Sequence, residues 1–136
     1  MKQFVRHRGS ALVEMAIVVP ILALLTVGLI EYGWIFFRIS QINQAARQGV
    51  RVAVRPDATT DNVKNSVTAM MQEAGLQNSG YKLGYSDIDV GVGQAVSVEI
   101  IVDYSKLSLT GARMLPMPQQ IVARATMSKE RAPTSP

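Results

Sequence analysis

The clearest pattern in the chain is one long apolar run near its N-terminus. From Met15 to Ile30 no residue carries a charge and almost every side chain is apolar. As a helix, these sixteen residues extend about 24 Å at about 1.5 Å per residue. The flanking residues 10–14 and 31–37 add enough length to cross a hydrocarbon core of about 30 Å. We therefore predict a single transmembrane helix over residues 10–37.

After the apolar run, the spacing of hydrophobic residues becomes that of an amphipathic helix. Six apolar residues recur at steps of three and four, which places them on one helical face: Ile35, Ile39, Ile42, Ala46, Val50 and Ala53. Pro56 disfavours helical backbone at the residue before it, so the helix is expected to run on to about Val54. Pro20 lies inside the apolar half, where its missing N–H predicts a kink.

The remaining residues alternate between helical and strand-like spacing. Residues 63–74 have helical spacing and are followed by Gly75, a helix stop signal. Apolar and polar residues then alternate over 88–92, 96–104 and 119–128, with a hairpin expected at Gly93-Gln94. These patterns predict an α+β fold, in which a long N-terminal transmembrane helix continues into a small head. The head has a second short helix and a three-stranded antiparallel sheet.

Composition removes several classes of function. The chain has no cysteine and a single histidine, His7, which excludes disulfides, thiolate chemistry and zinc sites with two or more histidines. No nucleophile–base pair has motif spacing, so we predict no enzyme, no cofactor and no metal site. The formal charge of +4 is concentrated in Lys2, Arg6 and Arg8, and the rest of the chain is almost neutral. We therefore predict no nucleic-acid partner.

Glu14 stands one turn inside the apolar run. An ionised side chain in a bilayer costs about 2.5–3.5 kcal/mol on insertion scales, which makes it a functional candidate, although near the interface it could simply reach the headgroups. A cut between Gly9 and Ser10 would create an amine one helical turn from this carboxylate. In a bundle of such helices the carboxylate of one subunit could pair with the amine of the next, and this pairing would set their axial register.

The N-terminal order of residues matches a known pattern. The run RHRGSALVEMAIVVPILALLTVGLIEYG, followed by AARQGVR from Ala45 to Arg51, resembles the TadE-like family. That pattern has a basic tail, glycine, a short apolar step, glutamate and a proline, then a second glutamate near the end of the span. The chain departs from it at Met15, Gln48 and Val50. A secretory signal peptide has a similar basic start, but no small-residue cleavage site follows the apolar run.

The resemblance implies a pseudopilin, or minor pilin, of a tight-adherence (Flp) type IV pilus system that acts in pilus assembly, adhesion and biofilm formation. It divides the chain into a basic prepilin leader (1–9), the transmembrane helix (10–37), an extracytoplasmic pilin-like domain (38–130) and a disordered tail (131–136). A prepilin peptidase would cut between Gly9 and Ser10. The expected place is the bacterial inner membrane, with the N-terminus in the cytoplasm and the head in the periplasm, and incorporation into the pilus could follow.

The expected partners are the peptidase, other pilins or pseudopilins, the inner-membrane assembly platform and membrane lipid. Glu31, Arg47 and Arg51 are candidate partner contacts, although such an arginine pair is more often a solvated face or a local ion pair. The alternative function is an uncleaved, single-span membrane anchor that binds other components of the secretion machinery. In that case Glu14 would be incidental.

Overall fold

The computed structural model describes residues 8–109 and 118–131 of the chain. Its elements are α1 (Arg8–Ala53), α2 (Thr60–Glu73), β1 (Lys82–Tyr85), β2 (Ala95–Asp103), a 3₁₀ turn (Tyr104–Lys106) and β3 (Gln120–Ser128). The three strands form one antiparallel sheet in the order β1-β2-β3. The predicted α+β fold is confirmed. Most of the predicted leader and tail, residues 1–7 and 132–136, lies outside the described residues.

Helix α1 has two halves with opposite surroundings. From residue 11 to residue 30 nearly every side chain is exposed, although almost all are apolar. By length and composition this is the one described helix able to cross a membrane. From Glu31 onwards one face becomes buried, and it includes Ile35, Ile42 and Val50. The second half of α1 is therefore the central helix of the head, and the first half extends beyond the head.

Small residues let α1 approach the rest of the head closely. Ala45, Ala46 and Ala53 are buried, and Gly49 lies between them. A Cβ atom at Gly49 would lie 2.6 Å from Cγ2 of Val67 on α2 and 3.2 Å from a methyl of Val98 on β2. Carbon atoms in contact are about 3.5–4.0 Å apart. Glycine is thus required where α1 meets both elements.

Helix α2 covers the predicted helical stretch, although it begins three residues earlier, at Thr60. The Thr59 side chain accepts a hydrogen bond from the backbone N–H of Asn62 at 3.2 Å, which caps the N-terminus. Val63, Val67 and Met71 are buried against α1 and the sheet. Gly75 follows the helix with φ +67°, a left-handed conformation that glycine adopts without strain.

The first strand of the sheet was predicted in the wrong place. Residues 88–92 form part of a loop, and β1 is instead the four-residue segment Lys82–Tyr85, for which we predicted no strand. Within 88–92 the Asp87 carboxylate accepts the Asp89 N–H at 3.0 Å, and this local bond bends the chain. Gln94 N–H bonds Gly91 C=O to close a turn, and Gly93-Gln94 ends a longer loop, residues 86–94, that joins the paired strands β1 and β2. Ile88 is buried as predicted, but on a loop.

The other two strands agree with prediction to within a residue. Val96, Val98, Ile100 and Val102 of β2 are buried, and the residues between them are not. On β3, Ile121 and Ala123 are buried. The inner face of the sheet therefore packs on α1, and its outer face carries an exposed ion pair between Glu99 and Arg124.

Candidate processing and assembly site on the N-terminal helix

The predicted cut lies in the first turn of α1. The helix begins at Arg8 and passes through Gly9 and Ser10 without interruption. Gly9 is exposed, and no described atom lies within 4 Å of the position that its Cβ would occupy. The peptide bond between Gly9 and Ser10 is thus at the far end of the helix from the head.

Glu14 follows one helical turn, or about 6 Å, after Ser10. Its side chain is exposed and makes no hydrogen bond or ion pair within residues 8–109 and 118–131. The surrounding surface is apolar, since Leu12, Val13 and Met15 are all more than half exposed. In lipid, a carboxylate in this position requires a cation or hydrogen-bond donors from another molecule.

Pro20 is exposed within the same apolar half and α1 remains helical on both sides of it. Because proline has no N–H, the carbonyl of Ala16 lacks its usual donor one turn earlier. That carbonyl can accept a bond from a neighbouring helix or from water. The kink itself stays a prediction.

Glu31, the second glutamate of the motif, is placed inside the protein and not on an exposed, partner-facing surface. It is 1% exposed. Its carboxylate accepts hydrogen bonds from the Ser108 hydroxyl at 2.6 Å, the Leu109 N–H at 3.2 Å and the Tyr104 hydroxyl at 3.4 Å. These donors lie in the connection between β2 and β3, so Glu31 fastens that connection to the end of the apolar segment.

The buried carboxylate of Glu31 affects the pKa of the Tyr104 hydroxyl. Burial raises the pKa of the Tyr104 hydroxyl above its ordinary value of 10.0, and the nearby negative charge of Glu31 raises the pKa further. Tyr104 therefore stays protonated and can act as a donor to Glu31. Tyr104 and Ser108 are 73 and 77 residues away from Glu31 in sequence, and no local pattern could have predicted these contacts.

Trp34 and Arg38, on α1 just after the apolar run, bond other parts of the head. The Trp34 indole N–H donates to the Leu107 carbonyl at 2.9 Å. The Arg38 guanidinium lies 4.5 Å from the centre of the Trp34 ring and donates to the Ala74 carbonyl, at the C-terminal end of α2, at 2.6 Å. A cation is favourable there because helix C-termini carry partial negative charge.

The predicted partner arginines remain at the surface. Arg47 and Arg51 are exposed, one turn apart, and neither forms an ion pair or side-chain hydrogen bond with any residue that the structure describes. Their neighbours Ala45, Ala46 and Gly49 are buried. The motif thus has two parts, since its small residues pack the core and its arginines project outwards.

Two of the predicted site groups lie at opposite ends of α1. Gly9, Ser10 and Glu14 share its first two turns, whereas Arg47 and Arg51 are near its C-terminal end. The structure does not bring these groups together within one chain. Any contact between them would have to be made between different molecules.

The comparisons with known proteins concern this helix. No curated protein and no solved structure matches the chain. A family model described as TadE-like protein matches residues 9–51, which is nearly the whole of α1. Over these residues the chain matches the TadE-like protein family, and the resemblance predicted from its glycine, glutamate and proline pattern is confirmed.

Proposed function

We propose that this chain is a pseudopilin, or minor pilin, of a tight-adherence (Flp) type IV pilus. The first half of α1 crosses the bacterial inner membrane, with the N-terminus in the cytoplasm and the head in the periplasm. A prepilin peptidase cuts between Gly9 and Ser10. The processed chain then joins the pilus or the complex that initiates it, in support of adhesion and biofilm formation.

One observation carries this proposal. The apolar first half of α1 extends beyond the head and is exposed. It carries a single carboxylate, Glu14, one turn after the candidate cut. A membrane anchor has no need of a charge at this depth, and insertion with it is unfavourable by about 2.5–3.5 kcal/mol. In a helix that later packs among other helices, this carboxylate can fix the axial register. It becomes buried there, and it is unfavourable at every axial offset that leaves it without its cationic partner.

The chemistry of assembly follows from the cut. Cleavage leaves the ammonium group of Ser10 at the helix N-terminus, and in a bundle it can pair with Glu14 of an adjacent subunit. Only one axial offset brings the two together in apolar surroundings. The apolar surface around Leu12 and Ile17, which is exposed in the single chain, would then be covered by neighbouring helices.

We infer further that the head binds and positions rather than catalyses. The buried carboxylate, Glu31, is bonded to Ser108 and the Leu109 N–H in a structural role. The head therefore supplies surfaces for contact with other pilus subunits and the assembly platform.

Two variants in the native host test the proposal. Gly9→Arg should abolish cleavage and leave a longer chain in the membrane. Glu14→Ala should still be inserted and cut, but should fail to enter the assembled pilus. Glu14→Gln keeps the shape of the side chain but removes its charge, so it should fail to assemble as Glu14→Ala does if the charge is what matters.

Other outcomes favour the alternative function. If Gly9→Arg leaves size and pilus formation unchanged, the chain is an uncleaved anchor that binds other components of the machinery. If Glu14→Ala assembles normally, the carboxylate does not set the register.

A further inference from the structure

Within residues 8–109 and 118–131, the outer edge of β3 has backbone hydrogen-bonding groups that pair with no other strand. Tyr104 N–H bonds Gln119 C=O at 2.9 Å, and Lys129 N–H bonds Gln94 C=O at 2.8 Å, at the two ends of the β2–β3 ladder. With the register between them, odd-numbered residues of β3 bond β2 and even-numbered residues point their N–H and C=O groups away. Strand β3 pairs only with β2 among the described residues. The outward groups belong to residues 120, 122, 124, 126 and 128.

This edge has few of the features that usually block strand addition, and its one charged side chain, Arg124, is paired with Glu99 on β2. Proteins protect edge strands with short length, proline, lysine or a bulge. The opposite edge strand, β1, has only four residues. In contrast, β3 has nine residues in unbroken register with β2, and neither proline nor lysine occurs from Gln120 to Ser128. The β3 edge is able to accept another extended chain along its whole length.

Helix α1 lies alongside the outer edge of β3. At the start of β3, Ile121 shares a cavity with Ile35 and Phe36. After its end, Glu130 N–H bonds Val54 C=O at 2.9 Å. Helix α1 and β3 therefore lie side by side and run in the same direction.

One flank of α1 faces the space beyond β3. Gly49 faces α2 and β2, and Phe36 adjoins the β3 side. At about 100° per residue, Arg47 lies close to the angular position of Phe36 and about 16–17 Å further along the helix. A strand added to β3 would thus lie beside Phe36 at one end and Arg47 towards the other.

The cavity at the membrane end of this space suits an apolar side chain. It measures about 130 Å³, and its walls are apolar or aromatic side chains: Tyr32, Ile35, Phe36, Ile39, Pro118 and Ile121, with Tyr104. Phe36 is 70% exposed, so the cavity opens beside a large uncovered ring. An aliphatic side chain of an added strand would cover this ring and fill the cavity.

A second copy of this chain paired through its own β3 edge is excluded as the occupant by the direction of α1, and the four-residue β1 edge of another copy is too short to cover the nine residues of β3. Two β3 edges paired antiparallel are related by a two-fold axis perpendicular to the sheet. Because α1 runs along β3, that axis makes the two α1 helices antiparallel, and their apolar halves then point in opposite directions. Two chains anchored in one membrane cannot do this; the step rests on the membrane insertion in the proposed function.

We propose that the outer edge of β3 docks an extended, proline-free segment of a different protein as a fourth strand. An apolar side chain of this segment enters the cavity beside Phe36. An acidic side chain on the same face pairs with Arg47. Main-chain hydrogen bonds to residues 122, 124 and 126 supply the affinity, and the two side chains supply the specificity.

Substitution at Thr126 separates strand addition from folding. Its N–H points outwards, so Thr126→Pro removes a donor that β2 does not use, and edge strands tolerate proline in such positions. Thr126→Ala retains the N–H and is the matched control. A single lost backbone bond with the added bulk of the ring is expected to weaken docking by about tenfold or more.

The assay uses the full chain in lipid nanodiscs and overlapping synthetic peptides from the other pilin-type and platform proteins of the host. Fluorescence anisotropy measures the affinity of each labelled peptide for the wild type and both Thr126 variants. We expect at least one peptide that binds the wild type and Thr126→Ala equally and Thr126→Pro about tenfold more weakly. It should protect the amides of residues 122, 124 and 126 from hydrogen exchange. Arg47→Glu should weaken its binding more than Arg51→Glu does.

Three results would overturn the proposal. They are the absence of any binding peptide, binding that is indifferent to Thr126→Pro, and a disulfide-linked homodimer of Val122→Cys in native membranes. The last is readily interpreted because the chain has no other cysteine. None of them bears on cleavage after Gly9, so failure here is distinguishable from failure of the proposed function.

Discussion

Among the glycines that the structure describes, Gly49 is the one at which an added methyl group would meet the shortest contact. In Gly49→Ala the new Cβ would lie 2.6 Å from Cγ2 of Val67, about 1 Å inside normal contact distance. Val67 is fully buried on α2. A valine in a helix has one strongly preferred rotamer, so its methyl group cannot turn away cheaply.

The expected magnitude is a balance of two effects. Overpacking of this kind costs about 1–3 kcal/mol. Replacement of glycine by alanine inside a helix returns about 1 kcal/mol through propensity. We expect a net loss of about 1 kcal/mol, which for a head of this size lowers Tm by about 4–8 °C.

Trp34 provides the assay because it is the only tryptophan and its indole N–H bonds the head at Leu107. Thermal or denaturant unfolding of the full chain in detergent can be followed by its emission. Gly33→Ala is the matched control on the same helix, since no described atom lies within 4 Å of that Cβ position. It should cost nothing measurable in head stability.

A double mutant tests the cause. Val67→Ala removes the methyl group that meets the new Cβ, so Gly49→Ala should be much less damaging in the Val67→Ala background. A coupling of about 1 kcal/mol or more is expected for residues in direct contact. A Gly49→Ala variant as stable as the wild type, or strictly additive effects, would refute the assignment of Gly49 as a packing glycine.

Three further predictions concern the junction of α1 with the head. Glu31→Gln should lower the Tyr104 pKa towards 10.0, as measured by ultraviolet titration against the wild type. The folded state binds the Tyr104 proton more tightly than the unfolded state does. The stability that this proton contributes is therefore complete below about pH 10 and is lost as the pH rises through the folded pKa. Glu31→Gln should reduce this loss of stability at alkaline pH. Arg38→Lys should not replace the arginine, because a point charge cannot both stack on the indole and bond the Ala74 carbonyl; a loss of about 1 kcal/mol in denaturant unfolding is expected, and an unchanged midpoint would contradict it. Gly75→Ala forces a side chain into a left-handed conformation and should cost about 1–2 kcal/mol in the same assay, whereas no loss would mean that the turn relaxes.

Helices were predictable from the sequence because their signals are local. The apolar run, the three-and-four spacing up to Ala53 and the stop at Gly75 each depend on neighbouring residues. Strand β1 was missed because Lys82–Tyr85 is short, contains Gly84 and forms a strand through its pairing with β2. The apolar–polar alternation at residues 88–92 fits a strand and also fits a bent loop with one buried residue. The hydrogen bond from Asp89 N–H to the Asp87 carboxylate favours the bent loop.

The site was predictable where chemistry and chain order coincide. Gly9 and Glu14 are recognised by their spacing alone. The role of Glu31 was not predictable, because its donors come from the distant connection around Ser108 and Leu109. Similarly, the requirement for glycine at Gly49 appears only once Val67 and Val98 are placed opposite it.

The central claim, that the chain is processed as a prepilin, depends on one bond. Intact mass and N-terminal sequencing of the protein extracted from membranes of its native host test it directly. The account predicts a mature chain that begins at Ser10. A chain that still carries residues 1–9, in cells with an active prepilin peptidase, would contradict it and leave an uncleaved membrane anchor as the function to pursue.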